Sequence, residues 1–249
     1  KGKLNEEALK NALESIIYRH EVLRTVILQD EGEAYQFIKD TDKWSLKITD
    51  GSVFENDPES LINYINESIN SPFDLSKDFM LRAELIKLSN DENTLSVTMH
   101  HIASDGWSTS LIAGELAELY NSYIEKREPH LESLHVQYSD YAIWQRKNLN
   151  EKYLENKLVY WKNHLEGLEP LQLPVDFARQ ALQSTKGSGI IFNIDKELSE
   201  KLLNLSRDQG TTLFMTWLTA FKILLSRYSS GNDICVGTTV ANRSEKELE

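Results

Sequence analysis

The sequence predicts an α+β fold, and three observations lead there. Leu95, Val97 and Met99 alternate with polar residues, and Phe79, Leu81, Ala83 and Leu85 also fall on alternate positions, so two half-buried strands able to pair are expected. Residues 108–126 instead carry Leu111, Ile112, Leu116, Leu119, Tyr120 and Tyr123 at helical spacing. Between Gly167 and Gly189 periodicity lapses into a stretch with three glycines and two prolines, which divides the chain into expected lobes over 1–175 and 176–249.

The elements follow in order. Asn5 can cap a first helix, with Glu6 and Glu7 favourable to its dipole and Leu9, Leu13, Ile16 and Ile17 as its apolar stripe. That helix leads through Arg19–Thr25 into a strand at Thr25–Leu28. Glu33–Lys39 and Leu46–Thr49 read as further strands, and Pro58 begins a helix carrying Leu61, Ile62, Ile65 and Ile69. After the strand pair at 79–85 and 94–100 comes the long helix from Ser108, whose stripe is core rather than a cofactor site. Tyr138 opens an aromatic helix start with Ser139 or Asp140 as cap, and Tyr153–Leu165 continues as helix. Beyond the lobe boundary a strand is expected at Ile190–Ile194 and a helix at Lys196–Asp208. Thr211 or Thr212 caps a second helix with Phe214, Trp217, Leu218, Phe221, Leu224 and Leu225 inward. A last strand is expected at Ile234–Thr239.

Composition bounds the function. The chain has 249 residues, 40% hydrophobic and 27% charged, enough apolar material for a sizeable core. A net charge of −12 argues against nucleic-acid binding, and no basic run suggests a membrane surface. No apolar run approaches the roughly 20 residues of a membrane span. Cys235 is the single cysteine, so no intramolecular disulfide forms, which suits a reducing cytoplasm. The sequence begins at Lys1 without a signal-peptide pattern and reads as a segment of something longer. It contains no internal repeat and no low-complexity tract.

Chemistry concentrates at His100-His101-Ile102-Ala103-Ser104-Asp105-Gly106-Trp107. Two adjacent imidazoles stand at a strand end, and an acid and a glycine follow. If strand pairing continues, His101 falls on the inner face with Leu95, Val97 and Met99, where it needs a partner because an unpaired buried polar group costs about 1–3 kcal/mol. A histidine of ordinary pKa, about 6.5, can take or give a proton near neutrality. Asp105 either fixes the imidazole tautomer directly or holds the turn by pairing with an arginine elsewhere. Gly106 lets backbone approach a substrate and can aim an N–H at a developing oxyanion. No G-x-S-x-G is present and Cys235 is distant in sequence, so the base would act on a hydroxyl, thiol or amine supplied by a substrate, as in direct acyl transfer. A hydrogen-bonded structural histidine pair is the plain alternative. A metal site on His100, His101 and Asp105 is disfavoured, because adjacent strand residues point to opposite faces.

His100-His101-x-x-x-Asp105-Gly106 resembles the HHxxxDG signature of condensation domains of nonribosomal peptide synthetases, whose HxxxDG core is shared across the chloramphenicol-acetyltransferase-like superfamily. Further segments resemble the same family in the same order. Arg19-His20-Glu21-Val22-Leu23-Arg24-Thr25 is similar to RHExLRTxF, with Ile27 for Phe; Pro72-Phe73-Asp74-Leu75 and Leu81-Arg82-Ala83 are similar to FDL…LRA. Tyr138–Trp144 is similar to YxDYAxW, with Ile143 for Val. Leu173-Pro174-Val175-Asp176 resembles the crossover between family halves, and Val236–Arg243 resembles (I/V)GxPVAxR, with Thr239 where Pro is usual.

The resemblance implies a chloramphenicol-acetyltransferase-like lobe, a mixed sheet flanked by helices, with the beginning of a second similar lobe. It implies amide formation between two carrier-tethered aminoacyl or peptidyl thioesters, with His101 as proton acceptor or as the group orienting the amine. His100 and Asp105 would shape the loop, Gly106 would supply a backbone donor, and Arg19 or Arg24 would pair with Asp105. No cofactor or metal is bound directly; the substrates ride on phosphopantetheine of donor and acceptor peptidyl carrier domains, beside an adenylation domain. The wording Ile102–Ser108 is closer to domains that join two L-residues than to epimerases. Two family motifs expected after the last match, and one before Lys1, are not in the sequence, so this segment is expected to be catalytically incomplete and to self-associate through the inner face of Leu213–Leu225. A non-catalytic carrier-docking module is the alternative. His100 and Asp105 also fit the HX₄D pattern of glycerolipid acyltransferases, which the other motifs oppose.

Overall fold

The computed structural model describes residues 1–41, 43–178, 181–182, 184 and 187–243. It mixes helices with small sheets, the α+β class that the sequence predicts, in two compact units: Lys1–Asn150 together with the segment from Ala241, and Glu151–Val240.

In the first unit, helix α1 (Glu6–Arg19) starts where the Asn5 side chain accepts from Ala8 N–H, and it buries Ala8, Leu9, Ala12, Leu13, Ile16 and Ile17 along one stripe. A short 3₁₀ turn at Glu21–Arg24 leads into β1 (Thr25–Asp30), which forms an antiparallel hairpin with β2 (Glu33–Ile38). A second sheet has the order β3-β4-β5, with β3 (Lys47–Asp50) parallel to β4 (Leu81–Lys87) and β4 antiparallel to β5 (Asn93–Met99). The register runs from Leu81↔Met99 to Lys87↔Asn93, the pairing expected from the two alternating segments. Helix α2 (Pro58–Asn70) lies between β3 and β4 in sequence. Helix α3 (Gly106–Glu125) packs against α1, and Leu13, Ile16 and Ile17 meet Leu81, Leu85 and Leu119 in one core. The Trp44 indole donates to Leu81 O at 2.9 Å and fixes the approach to β3. Helix α4 (Tyr138–Asn148) closes the unit.

The second unit holds α5 (Glu151–His164), α6 (Lys196–Asp208) and α7 (Leu213–Ser229). Asp195 caps α6 and Thr212 caps α7, and the two helices are joined by a 2.7 Å contact between the Ser206 and Thr216 hydroxyls.

Several local expectations change. Helix α3 begins two residues before Ser108 because Asp105 is its cap and Ser108 its third residue. Gln137 precedes α4 as its cap, in place of Ser139 or Asp140; Asp140 instead accepts from Gln137 N–H at 2.9 Å. Segments 190–194 and 234–239 are not strands: among the described residues neither has a ladder partner, and Ile190 and Ile191 are 90% and 94% exposed. The glycine- and proline-rich stretch lies inside the second compact unit, Glu151–Val240. No described helix is long and apolar enough to cross a membrane.

Candidate active site

The ends of β4 and β5 position the histidines. His100 N–H donates to Met80 O at 2.9 Å, just past the last ladder pair, and there the strand stops. The chain turns at once: Ala103 N–H donates to His100 O at 3.0 Å, and the Ser104 hydroxyl donates to the same oxygen at 3.2 Å. His100 Nδ1 accepts from Ile102 N–H at 3.0 Å, and its half-buried ring meets Phe73 edge to face. Because the turn interrupts the period, His101 leaves the inner face expected for it and stands exposed, while Leu95 and Met99 pack on the core. Val97, expected inward, is exposed as well.

Asp105 terminates the turn. Its carboxylate accepts from Ser108 N–H at 2.9 Å and from the Ser108 hydroxyl at 2.6 Å, while Ser108 Oγ accepts from Asp105 N–H at 3.3 Å. Arg243 donates to both carboxylate oxygens, at 3.3 and 3.2 Å. Ser108 first, and Arg243 after it, hold the Asp105 carboxyl down at about 2. The alternative in which Asp105 fixes an imidazole tautomer gives way to the one in which it holds the turn. Its arginine is neither of the two expected. Arg19 lies on the last turn of α1 facing α3, where it pairs with Glu115 at 3.1 Å. Arg24 folds back to Glu21 at 3.2 Å and to Lys39 O at 2.7 Å. Arg243 reaches Asp105 from the matched (I/V)GxPVAxR segment, where its motif membership was visible and its partner was not.

His20, His101, Asp105, Glu115, Tyr141 and Arg243 are among the residues that line one cleft of about 540 Å³ in the first unit. His20 and Glu115 in its lining belong to an ion cluster that sequence reasoning did not see. Glu115 takes His20 Nε2 at 2.6 Å on one oxygen and Arg19 on the other. Burial pushes the Glu115 carboxyl up, but the His20 bond and the charges of His20 and Arg19 outweigh it and leave it below the usual range. Gln137 locks the same corner, donating to Arg19 O at 2.9 Å and accepting from Glu21 N–H at 3.2 Å. Gly106 is the first residue of α3, with open space where a Cβ would stand, so its N–H belongs to the unsatisfied helix start. Among the described residues no group of three His, Cys, Asp or Glu is arranged to hold a metal ion.

An exposed imidazole on a cleft wall, beside a carboxylate already committed to the backbone, can exchange a proton with a molecule entering the cleft. The family model described as Condensation domain matches residues 1–249. The chain belongs to the condensation-domain family. It is 40% identical over 255 residues to one of the linear gramicidin synthase proteins of Brevibacillus parabrevis, covering 100% of this chain and 5% of that protein. Phosphinothricin tripeptide synthetase of Streptomyces viridochromogenes is 38% identical over 98% of this chain and 23% of its own length. The chain thus spans a small part of these relatives. Among solved structures, the X-domain from teicoplanin biosynthesis superposes with a TM-score of 0.82 at 30% identity, over 94% of this chain and 52% of that one. The epimerization domain from the third module of a tyrocidine synthetase, at 21% identity and a TM-score of 0.79 over 92% of this chain and 53% of that one, shares the fold.

Proposed function

We propose that this condensation domain forms an amide bond between two carrier-tethered thioester substrates. The acceptor's amine nitrogen attacks the donor's thioester carbonyl. The C–N bond forms, a tetrahedral intermediate collapses, and the C–S bond breaks with release of the donor carrier's thiol. His101 takes the proton that the amine loses, or orients the amine as it attacks; a proton acceptor contributes typically 10²–10⁴-fold, and orientation can contribute comparably. His100 and Asp105 hold the loop, and Gly106 lets an N–H approach the oxyanion. The chain needs no resident cofactor for this, since the phosphopantetheine arms belong to the donor and acceptor carrier domains, with an adenylation domain adjacent. The reaction belongs in the cytoplasm.

The observation that carries the reading is the exposed His101 on the cleft wall, next to an Asp105 occupied by Ser108 and Arg243. The test is dipeptide formation by the full-length protein carrying His101→Ala, with loaded carrier domains. A loss of at least about 10²-fold with unchanged circular dichroism is expected; near-normal product refutes it.

A docking module is the second reading. The X-domain from teicoplanin biosynthesis, 31% identical with a TM-score of 0.81 over 94% of this chain and 51% of that one, was solved in complex with OxyB, so a domain of this family can serve as a binding partner. Carrier binding that persists in a full-length protein unable to make the amide bond would favour that reading.

A further inference from the structure

Two segments of the first unit meet at the back of the histidine turn. Phe73 lies in the loop after α2, and Arg82 is the second residue of β4. The Arg82 guanidinium lies 3.7 Å from the centroid of the Phe73 ring, a cation–π contact. Arg82 is fixed from its other side as well: it donates to Ser71 O at 3.0 Å, to Pro72 O at 2.6 Å and to Asp78 at 2.9 Å. Asp78 in turn accepts from Asp74 N–H at 2.9 Å, and Leu75 O accepts from Ile27 N–H at 2.8 Å, which ties the loop to β1. Phe73 is therefore held from several directions, and its ring meets the His100 ring at 5.5 Å between centroids and 75° between planes. In the same imidazole, Nδ1 accepts from Ile102 N–H. An Nδ1 that accepts carries no proton, so the ring proton sits on Nε2.

We propose that Arg82 and Phe73 are positioning residues. They hold the His100 ring so that Nδ1 faces Ile102 N–H, and so set the turn that presents His101. Neither residue lines the cleft. The chain of contacts runs from guanidinium to phenyl to imidazole to backbone. A ring that can rotate about its χ2 angle loses its fixed acceptor, and the Ile102 amide with it.

The proposal is tested in the full-length protein with ¹⁵N-labelled histidine. In the wild type, His100 is expected in one tautomer, with a pyridine-like Nδ1 and a pyrrole-like Nε2. Phe73→Leu and Arg82→Met are each expected to give a tautomer mixture, while Phe73→Tyr, which keeps the aromatic face, retains the single form. An unchanged His100 signature in both Phe73→Leu and Arg82→Met overturns the proposal, whatever happens to turnover. The presentation of His101 rests on the amide-forming reading and is read by kinetics. In the two disrupting variants kcat should fall roughly 10-fold at constant KM for the acceptor carrier, short of the ~10²-fold that a 1 Å misplacement can cost. Unchanged kcat beside a shifted tautomer overturns that half when His101→Ala is inactive in the same assay. If His101→Ala is itself active, the amide-forming reading fails, and the tautomer result stands on its own.

Discussion

At Asp105, three hydrogen-bond donors converge on one carboxylate: the Ser108 N–H and hydroxyl, and the Arg243 guanidinium. All favour the ionised form, so its folded pKa of about 2 lies below the ordinary value. A carboxyl depressed in the folded state contributes stability above its unfolded pKa, about 3.9, and loses it as pH falls through its folded value. Asp105→Ala should therefore lower stability at neutral pH by about 1 kcal/mol as a lost helix cap, or about 2–4 °C in melting temperature for a chain of this size. It should also flatten the loss of stability between about pH 4 and pH 2. Thermal melts across that range check both, and an unaltered acid limb would show that Asp105 does not hold α3. The half-buried ion pair with Arg243, still open to solvent on one side, adds little by itself. Its use is to bring a distant segment to the turn.

The elements are positioned by close packing as much as by capping. Gly51 precedes the 3₁₀ turn after β3 and donates to Lys87 O at 2.8 Å, pressing β3 against β4. A Cβ there would stand 2.4 Å from Ile86 Cγ2, on a fully buried side chain, and 3.3 Å from the Lys87 carbonyl oxygen. Neither neighbour can swing away. Gly51→Ala should cost about 1–3 kcal/mol through overpacking. Gly114, inside α3, meets nothing within 4 Å, so Gly114→Ala should instead stabilise the protein by about 0.5–1 kcal/mol through helix propensity. Opposite signs in chemical denaturation are the expected result; equal effects would mean that the β3–β4 junction is looser than described.

At the scale of the whole molecule, the second unit carries a long apolar surface. Phe214, Trp217, Phe221 and Leu224 follow one stripe of α7, and each is more than 40% exposed. Contiguous apolar area of this kind marks an interaction surface or an aggregation liability. The 249-residue chain on its own is expected to self-associate. Sizing with light scattering checks this, and a strictly monomeric profile at micromolar concentration would count against it. The Ile190–Phe192 run is equally apolar and exposed, and nothing among the described residues pairs with it.

Much of the fold was legible because its causes are local. The stripe of α1, the Asn5 cap, a threonine cap at 211 or 212 and the bounds of α6 follow from spacing and side-chain chemistry within a few residues. The β4–β5 pair was legible because both strands alternate and lie close in sequence. The motifs around His101 and their order determined the family, which the comparisons bear out. What the local pattern could not carry was decided by tertiary structure. The residues at 190–194 and 234–239 read as strands, yet a strand exists only where a neighbour completes its ladder. Arg19 and Arg24 were equal candidates for Asp105 from the resemblance of their motif, and the arginine that pairs with it lies 138 residues away. Arg19 and Arg24 are engaged by Glu115 and Glu21 because the turn of α1 and the 3₁₀ segment aim them there. Charge can be read from a sequence, but the direction in which a side chain points is fixed only once the backbone around it has packed.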